Sequence, residues 1–376
     1  MKHIFLLLIL LFCCSVTGIA CAEVPQYGNW TEITNNVNFG ERHFFGSASF
    51  DNRLWVVGGV DNRSGLKNDV WSSLDGKQWD LITDSASFSQ RASFGVMEFN
   101  NRLWIIGGSA KEKLLNDVWS SPDGKKWEFI TSNASFSPRC NMGIAVFDNR
   151  LWVIGGESGW GTYTNDVWSS PDGKKWEVIT SNASFSPRYS HGVATLDNRL
   201  WVIGGYDGEG HNDIWSSRDG KNWILVNANA PFKKMDFISL IVFDNKLWIV
   251  GGGSYPPSHS TKRVVERAYD EVWSSPDGNN WTLETEHAGF GPRYLHAVTV
   301  FKNGIWVIGG EESNNKDVWY MPALHPERTP LPDYPVLLNT APDKEQTTNS
   351  SPTPSWLVII AVSCSAVFFL KKRMDE

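Results

Sequence analysis

A nine-residue phrase recurs six times along the chain and leaves few architectures open. DNRLWVVGG at residues 51–59 returns as NNRLWIIGG at 100–108, DNRLWVIGG at 148–156 and again at 197–205, DNKLWIVGG at 244–252 and KNGIWVIGG at 302–310. Self-similarity at a period of about 49 residues marks a solenoid or a propeller, in which each unit buries its apolar face only against its neighbours. Each phrase is followed by a second, such as NDVWSSPDGKKW at 116–127, and then by a stretch such as EFITSNASFSPR at 128–139.

Each unit reads as four short strands. The first is the run before the Asp-Asn turn, the second is the glycine-paired phrase, and the third is the DVWSS segment. The fourth, such as KWEFIT at 126–131, is reached through an Asp-Gly turn of the kind that favours hairpins. In RLWIIGG both alternating faces are apolar, with Leu103 and Ile105 on one and Trp104 and Ile106 on the other. A strand buried on both faces belongs to a sheet packed between two other sheets, as a propeller blade is. The expected fold is therefore all-β, a six-bladed β-propeller of four-stranded blades.

Counting strands also fixes how the ring closes. The chain supplies a fourth-strand phrase first, GNWTEIT at 28–34, and its last unit ends on a third-strand phrase, KDVWYM at 316–321. The N-terminal strand should pair into the last blade and remove the open edges that invite aggregation. Eighteen of the 20 tryptophans fall at three fixed slots per blade, and only Trp160 and Trp356 stand outside them. Rings in register, each burying about 150–250 Å², are expected as packing between blades rather than as sugar platforms.

An apolar run ending in paired glycines, a spaced Trp further on and an Arg opening the next repeat resemble the Kelch-repeat propellers, with a match from about residue 28 to 321. The resemblance implies a protein-interaction module. Some relatives are enzymes, notably galactose oxidase and the sialic acid mutarotases. The Ser-Pro-Asp-Gly-Lys-Lys-Trp phrase is also similar to the Asp-box turn of sialidases, one residue shorter, where its role is structural.

Galactose oxidase-like chemistry implies a copper site of two Tyr and two His with a Cys linked to one Tyr, and no His pair at ligand spacing accompanies Cys140. No cofactor or metal is expected. A sugar-modifying enzyme of the mutarotase or carbohydrate oxidase type, needing an acid and a base near one ring, remains the alternative to a binding module for protein or glycan. The net charge of -7 argues against a nucleic-acid partner.

Departures from the repeat carry the functional reading. The connections between blades deliver Arg42, Arg91, Arg139, Arg188 and Arg293, with Lys234 assigned to the fifth blade, as a ring of cations at one mouth of the channel. Each third strand opens with an acid on the same rim, Asp69, Asp117, Asp166, Asp213, Glu271 or Asp317. Two readings stand: the cations meet an acidic peptide or an acidic glycan, or they are consumed in scaffold salt bridges. The loops after the paired glycines differ most, with Glu157, Trp160 and Tyr163 in blade three and Tyr206, Asp207, Glu209 and His211 in blade four. An insertion at 254–269 in blade five adds Tyr255, His259, Lys262, Arg263 and Arg267. Tyr, Trp and Arg on one sector of one face read as a ligand-binding patch. His191 and His296 fall in a slot that other blades fill with apolar residues, and are expected in the core.

The ends read as export and anchoring signals. Residues 1–22 have the basic start, apolar run and small-residue exit of a signal peptide, although the run ending at Cys21 also loosely resembles a lipobox. Residues 322–355 hold eight prolines and read as a stalk. Residues 356–370 are an apolar anchor or sorting segment and 371–376 a basic tail, which orients the propeller (23–321) outside the cytoplasm. Only Cys140 remains in the propeller, so the core must stabilise an exported, monomeric domain without a disulfide.

Overall fold

The computed structural model describes residues 27–111, 113–254, 267–312 and 316–323. The expected signal peptide (1–22), the expected stalk beyond residue 323 and the expected anchor and basic tail (356–376) lie outside the described residues. The described chain forms six antiparallel four-stranded sheets. In blade one these are the inner strand Gly46–Phe50, the second Arg53–Asp61, the third Gly65–Ser73 and the outer Trp79–Thr83. Blade six takes Ala297–Phe301, Gly304–Ile308 and Val318–Pro322 from the C-terminal side, and its outer strand is Thr31–Thr34. Thr31 pairs with Tyr320, Glu32 with Trp319 and Thr34 with Val318, so the ring closes through the N-terminal strand as the strand count requires.

Local chemistry sets the two ends of each blade. The Asp-Asn turns place two consecutive residues in the left-handed region, Asp51 at φ 47° and Asn52 at φ 53°. This is the geometry of a two-residue hairpin that matches strand twist, and Asp and Asn tolerate it best after glycine. The Asp-Gly connection is not a second hairpin of this kind. It is a longer loop tied by its own side chains: the Asp123 carboxylate accepts the amides of Lys125 at 2.9 Å and Lys126 at 2.8 Å. In the next blade the Ser170 hydroxyl accepts the amide of Gly173 at 2.8 Å.

The paired glycines join one blade to the next. Gly59 at φ 92° shifts the register of the second strand, and a Cβ there would lie 2.5 Å from Cβ of Phe45. Freed from its own ladder, the Gly59 amide donates to the Arg91 carbonyl at 2.9 Å, across the seam to blade two. The apolar core lies in six layers between successive blades; in one, Trp55 and Val57 meet Val96 and Ile105. Second-strand tryptophans sit at the heart of these layers, and the Trp55 indole donates to the Phe50 carbonyl at 2.8 Å. Third-strand tryptophans are half-buried and belong to the rim of the channel mouth.

Candidate binding face

The rim arginines are clamped. Arg139 donates through Nη1 to one oxygen of Asp166 at 2.6 Å and through Nη2 to the other at 2.8 Å, and Nη1 also reaches the Gly155 carbonyl at 2.9 Å. The same fork joins Arg42 to Asp69, Arg91 to Asp117, Arg188 to Asp213 and Arg293 to Asp317. A third donor reaches each acid from the half-buried tryptophan two residues on, as Trp168 Nε1 does to Asp166 at 2.7 Å. Bidentate charge-assisted pairs of this type are the strong ones.

All five arginines are at most 1% exposed. Burial works to raise the Asp166 and Asp213 carboxyls, but their Arg hydrogen bonds and charges outweigh it and hold both below the usual carboxylate range. A ligand carboxylate finds no free guanidinium face in this ring, and of the two readings the geometry is that of the scaffold.

Blade five departs from the assignment made from sequence. Met235, not Lys234, holds the arginine position: its carbonyl accepts Gly205 N and its amide donates to His211 O, as Arg188 does with Gly156 and Thr164. Lys234 is exposed one residue earlier. Met235 packs with Tyr269 and Trp273 in the apolar layer between blades four and five. Among the described residues, Glu271 accepts only Trp273 Nε1, at 2.9 Å. The same one-residue shift puts Ile238 in the slot of His191 and His296.

Those two histidines are core residues, 2% and 3% exposed. Burial first, then the charge of Arg188 or Arg293, pushes each imidazole down to about 3. Neutral His296 donates Nε2 to the Val250 carbonyl at 2.9 Å. Cys140 is a buried free thiol among Ala92, Phe44 and Phe237.

Inside the arginine ring the mouth is filled. Phe44, Phe237 and Leu295, from blades one, five and six, cluster with Val60 and are 0–5% exposed. Phe44, Ser93, Asn141, Ser190 and Leu295 all have φ between 54° and 72°. In that conformation their backbones link blade to blade: Ser93 N donates to Phe44 O, Asn141 N to Ser93 O and Ser190 N to Asn141 O, at 3.0–3.3 Å. Left-handed Phe and Leu cost about 1–3 kcal/mol each and persist only where the surroundings fix them.

The unequal loops supply the aromatic surface. Trp160 stands at the tip of the blade-three hairpin, 61% exposed. Tyr163 on the same hairpin stacks on Tyr189 at 4.9 Å and meets Tyr206 edge-on at 6.3 Å. The structure thus brings Tyr163 and Tyr206 together across the seam of blades three and four over Tyr189, which is buried beneath them and which the repeat hides because it directly follows an arginine slot. His211 Nε2 lies 2.9 Å from Asp207 beside them. Tyr255, His259, Lys262 and Arg263 lie outside the described residues. On the far side of the mouth, Glu311 is engaged by His43 Nε2 at 3.2 Å and by the Tyr294 hydroxyl at 2.6 Å.

The pattern that defines the KLHDC2/KLHL20/DRC7 Kelch-repeats domain matches residues 44–252, more than half of the chain. The chain belongs to the Kelch-repeat family. Within this Kelch propeller the clamped arginine is the structural signature of five of the six blades, and the loops beyond the paired glycines are what differ. No curated protein matches the chain. Kelch propellers are in general protein-binding modules.

Proposed function

We infer that this Kelch propeller binds a partner protein through the loop face of blades three and four, as an extracytoplasmic module held at the cell surface. The observation that carries the reading is the exposed Trp160 beside the half-buried Tyr163 and Tyr206, which pack on the buried ring of Tyr189. Rigid aromatic side chains with a polar end are the residues that anchor interfaces. The site is offered by one sector of an otherwise repeating ring, so it can distinguish a partner. Surface display rests on the apolar segments at 4–12 and 356–370 and the proline-rich stretch between propeller and tail.

A sugar-modifying reaction needs an acid and a base within reach of one ring. On the loop face Asp207 and His211 are spent on each other at 2.9 Å, Glu157 accepts Gly161 N at 3.2 Å, and Glu311 lies in blade six, opposite blade three in a six-membered ring. Together with an apolar plug at the mouth, this favours recognition over turnover. The test is a binding screen of the whole chain against surface proteins and glycans, with turnover followed in the same wells. Protein ligands lost on Trp160→Ala support the reading; turnover of a glycan replaces it.

A further inference from the structure

The outer edges of blades one to three share one side-chain arrangement, and blade four keeps only half of it. In blades one to three an arginine at the start of the second strand crosses the sheet. Arg53, Arg102 and Arg150 donate Nε to the hydroxyls of Ser72, Ser120 and Ser169 at 2.8, 3.0 and 2.9 Å. Each then ends on an acid of the outer strand: Arg53 on Asp80, Arg102 on Glu128 at 2.7 Å and Arg150 on Glu177 at 2.6 Å. A charge at that position guards an edge strand, whose free backbone would otherwise template pairing with another chain.

Blade four keeps the arginine and lacks the acid. Ile224 faces Ser216 in the register that Asp80 has with Ser72 and Glu177 with Ser169. It is 61% exposed, and Leu225 on the opposite face of the same strand is 44% exposed. Arg199 reaches only Ser216, through Nη1 at 3.4 Å, and meets no acid among the described residues. The outer strand Trp223–Asn227 reads WILVN, with no charge along its length. The loop leading to it carries exposed Arg218 where other blades have Leu74, Pro122, Pro171 or Pro276, followed by exposed Lys221. Its one acid, Asp219, is turned onto the amides of Lys221 and Asn222.

An unguarded apolar edge beside a guanidinium without an acid has a definite complement. We propose that the outer edge of blade four docks an extended segment of a partner protein, with apolar side chains that cover Ile224 and Leu225 and a glutamate that meets Arg199. Strand addition gives such a contact its main-chain hydrogen bonds, and alternate side chains give it specificity. The added strand lies one interval of about 4.8 Å further from Arg199 than the blade's own outer strand. That distance selects glutamate over aspartate. This surface is on the rim of the disc, apart from the aromatic loop face.

The test uses the whole chain and two synthetic probes, a short Val/Thr-rich peptide with one central glutamate and the same peptide with lysine there. The glutamate peptide binds roughly tenfold tighter than the lysine peptide, because the charge pair discriminates and a like charge repels. Ile224→Glu recreates the ion pair of blades one to three, so it leaves the fold intact and reduces both peptides to the same weak binding. Tyr206→Ala leaves the difference unchanged, which separates this surface from the loop face. Equal affinities for the two peptides, or an Ile224→Glu chain that still discriminates, overturn the proposal. Sedimentation gives the remaining outcome: a dimer that Ile224→Glu abolishes assigns the edge to a second copy of the chain, and the partner reading fails.

Discussion

Arg188 grips Asp213 with both terminal nitrogens, at 2.6 and 2.9 Å, while its guanidinium is sealed from solvent. Removing one member of a buried pair leaves the other charge uncompensated, at a cost of about 3–5 kcal/mol. Arg188→Ala is therefore expected to lower the melting temperature by roughly 10 °C. Blade five shows how the same position works without a cation, so Arg188→Met with Asp213→Glu should recover part of that loss. A double variant no better than Arg188→Ala would mean that blade five depends on its insertion and not on Met235.

Three buried histidines, His43, His191 and His296, give the fold a defined acid response, the last two most strongly. Unfolded, each imidazole takes a proton near pH 6.5; folded, His191 and His296 take one only at about 3. Between those values the unfolded chain binds more protons, so stability falls as pH drops, by about 1.4 kcal/mol per unit for each histidine at full effect. Asp166 and Asp213 act in a different window: their folded values are depressed, so their contribution is complete above about pH 4 and is lost only as pH falls further. Denaturant midpoints between pH 6 and 4 should decline with a slope of at least about two protons, since burial also holds the His43 imidazole down, and His191→Phe should reduce it by about one. An unchanged slope in that variant contradicts the assignment.

Glycine at the Asp-Gly loops is demanded by the neighbouring blade. A Cβ on Gly124 would stand 2.0 Å from Cζ3 of Trp55, whereas one on Gly65, at a similar positive φ, meets nothing within 4 Å. Gly65→Ala bears only the backbone strain of about 1 kcal/mol; Gly124→Ala adds overpacking of a further 1–3 kcal/mol. Thermal unfolding of the two variants should separate these terms. Equal losses would show that Trp55 yields freely.

Much of the architecture was legible because a repeat states its own geometry. Six copies of the glycine-paired phrase define six blades, and the unmatched outer-strand phrase around Trp30 defines closure, since hydrogen-bonded edges admit one completion. The fate of the arginines was less legible: Arg139 and Asp166 are 27 residues apart, and charge alone does not say whether a cation faces solvent or a partner strand. Lys234 was misread because it is the nearest cation to the slot, although counting back from the Asp244 turn lands on Met235. Tyr189 carried no signal, since only its partners across the seam, Tyr163 and Tyr206, make it part of a cluster. Ile224 carried no signal without its register with Ser216, since the outer strands vary at that position, as Thr282 shows in blade five.

The most direct measurement compares the whole chain with a Trp160→Ala, Tyr206→Ala variant, reading affinity for a protein recovered from surface extract alongside melting temperature. Loss of two aromatic anchors should weaken binding by at least about tenfold, with little change in stability, because Trp160 is exposed and Tyr206 half-buried. Undiminished affinity in that variant would contradict the assignment of binding to the loop face of blades three and four.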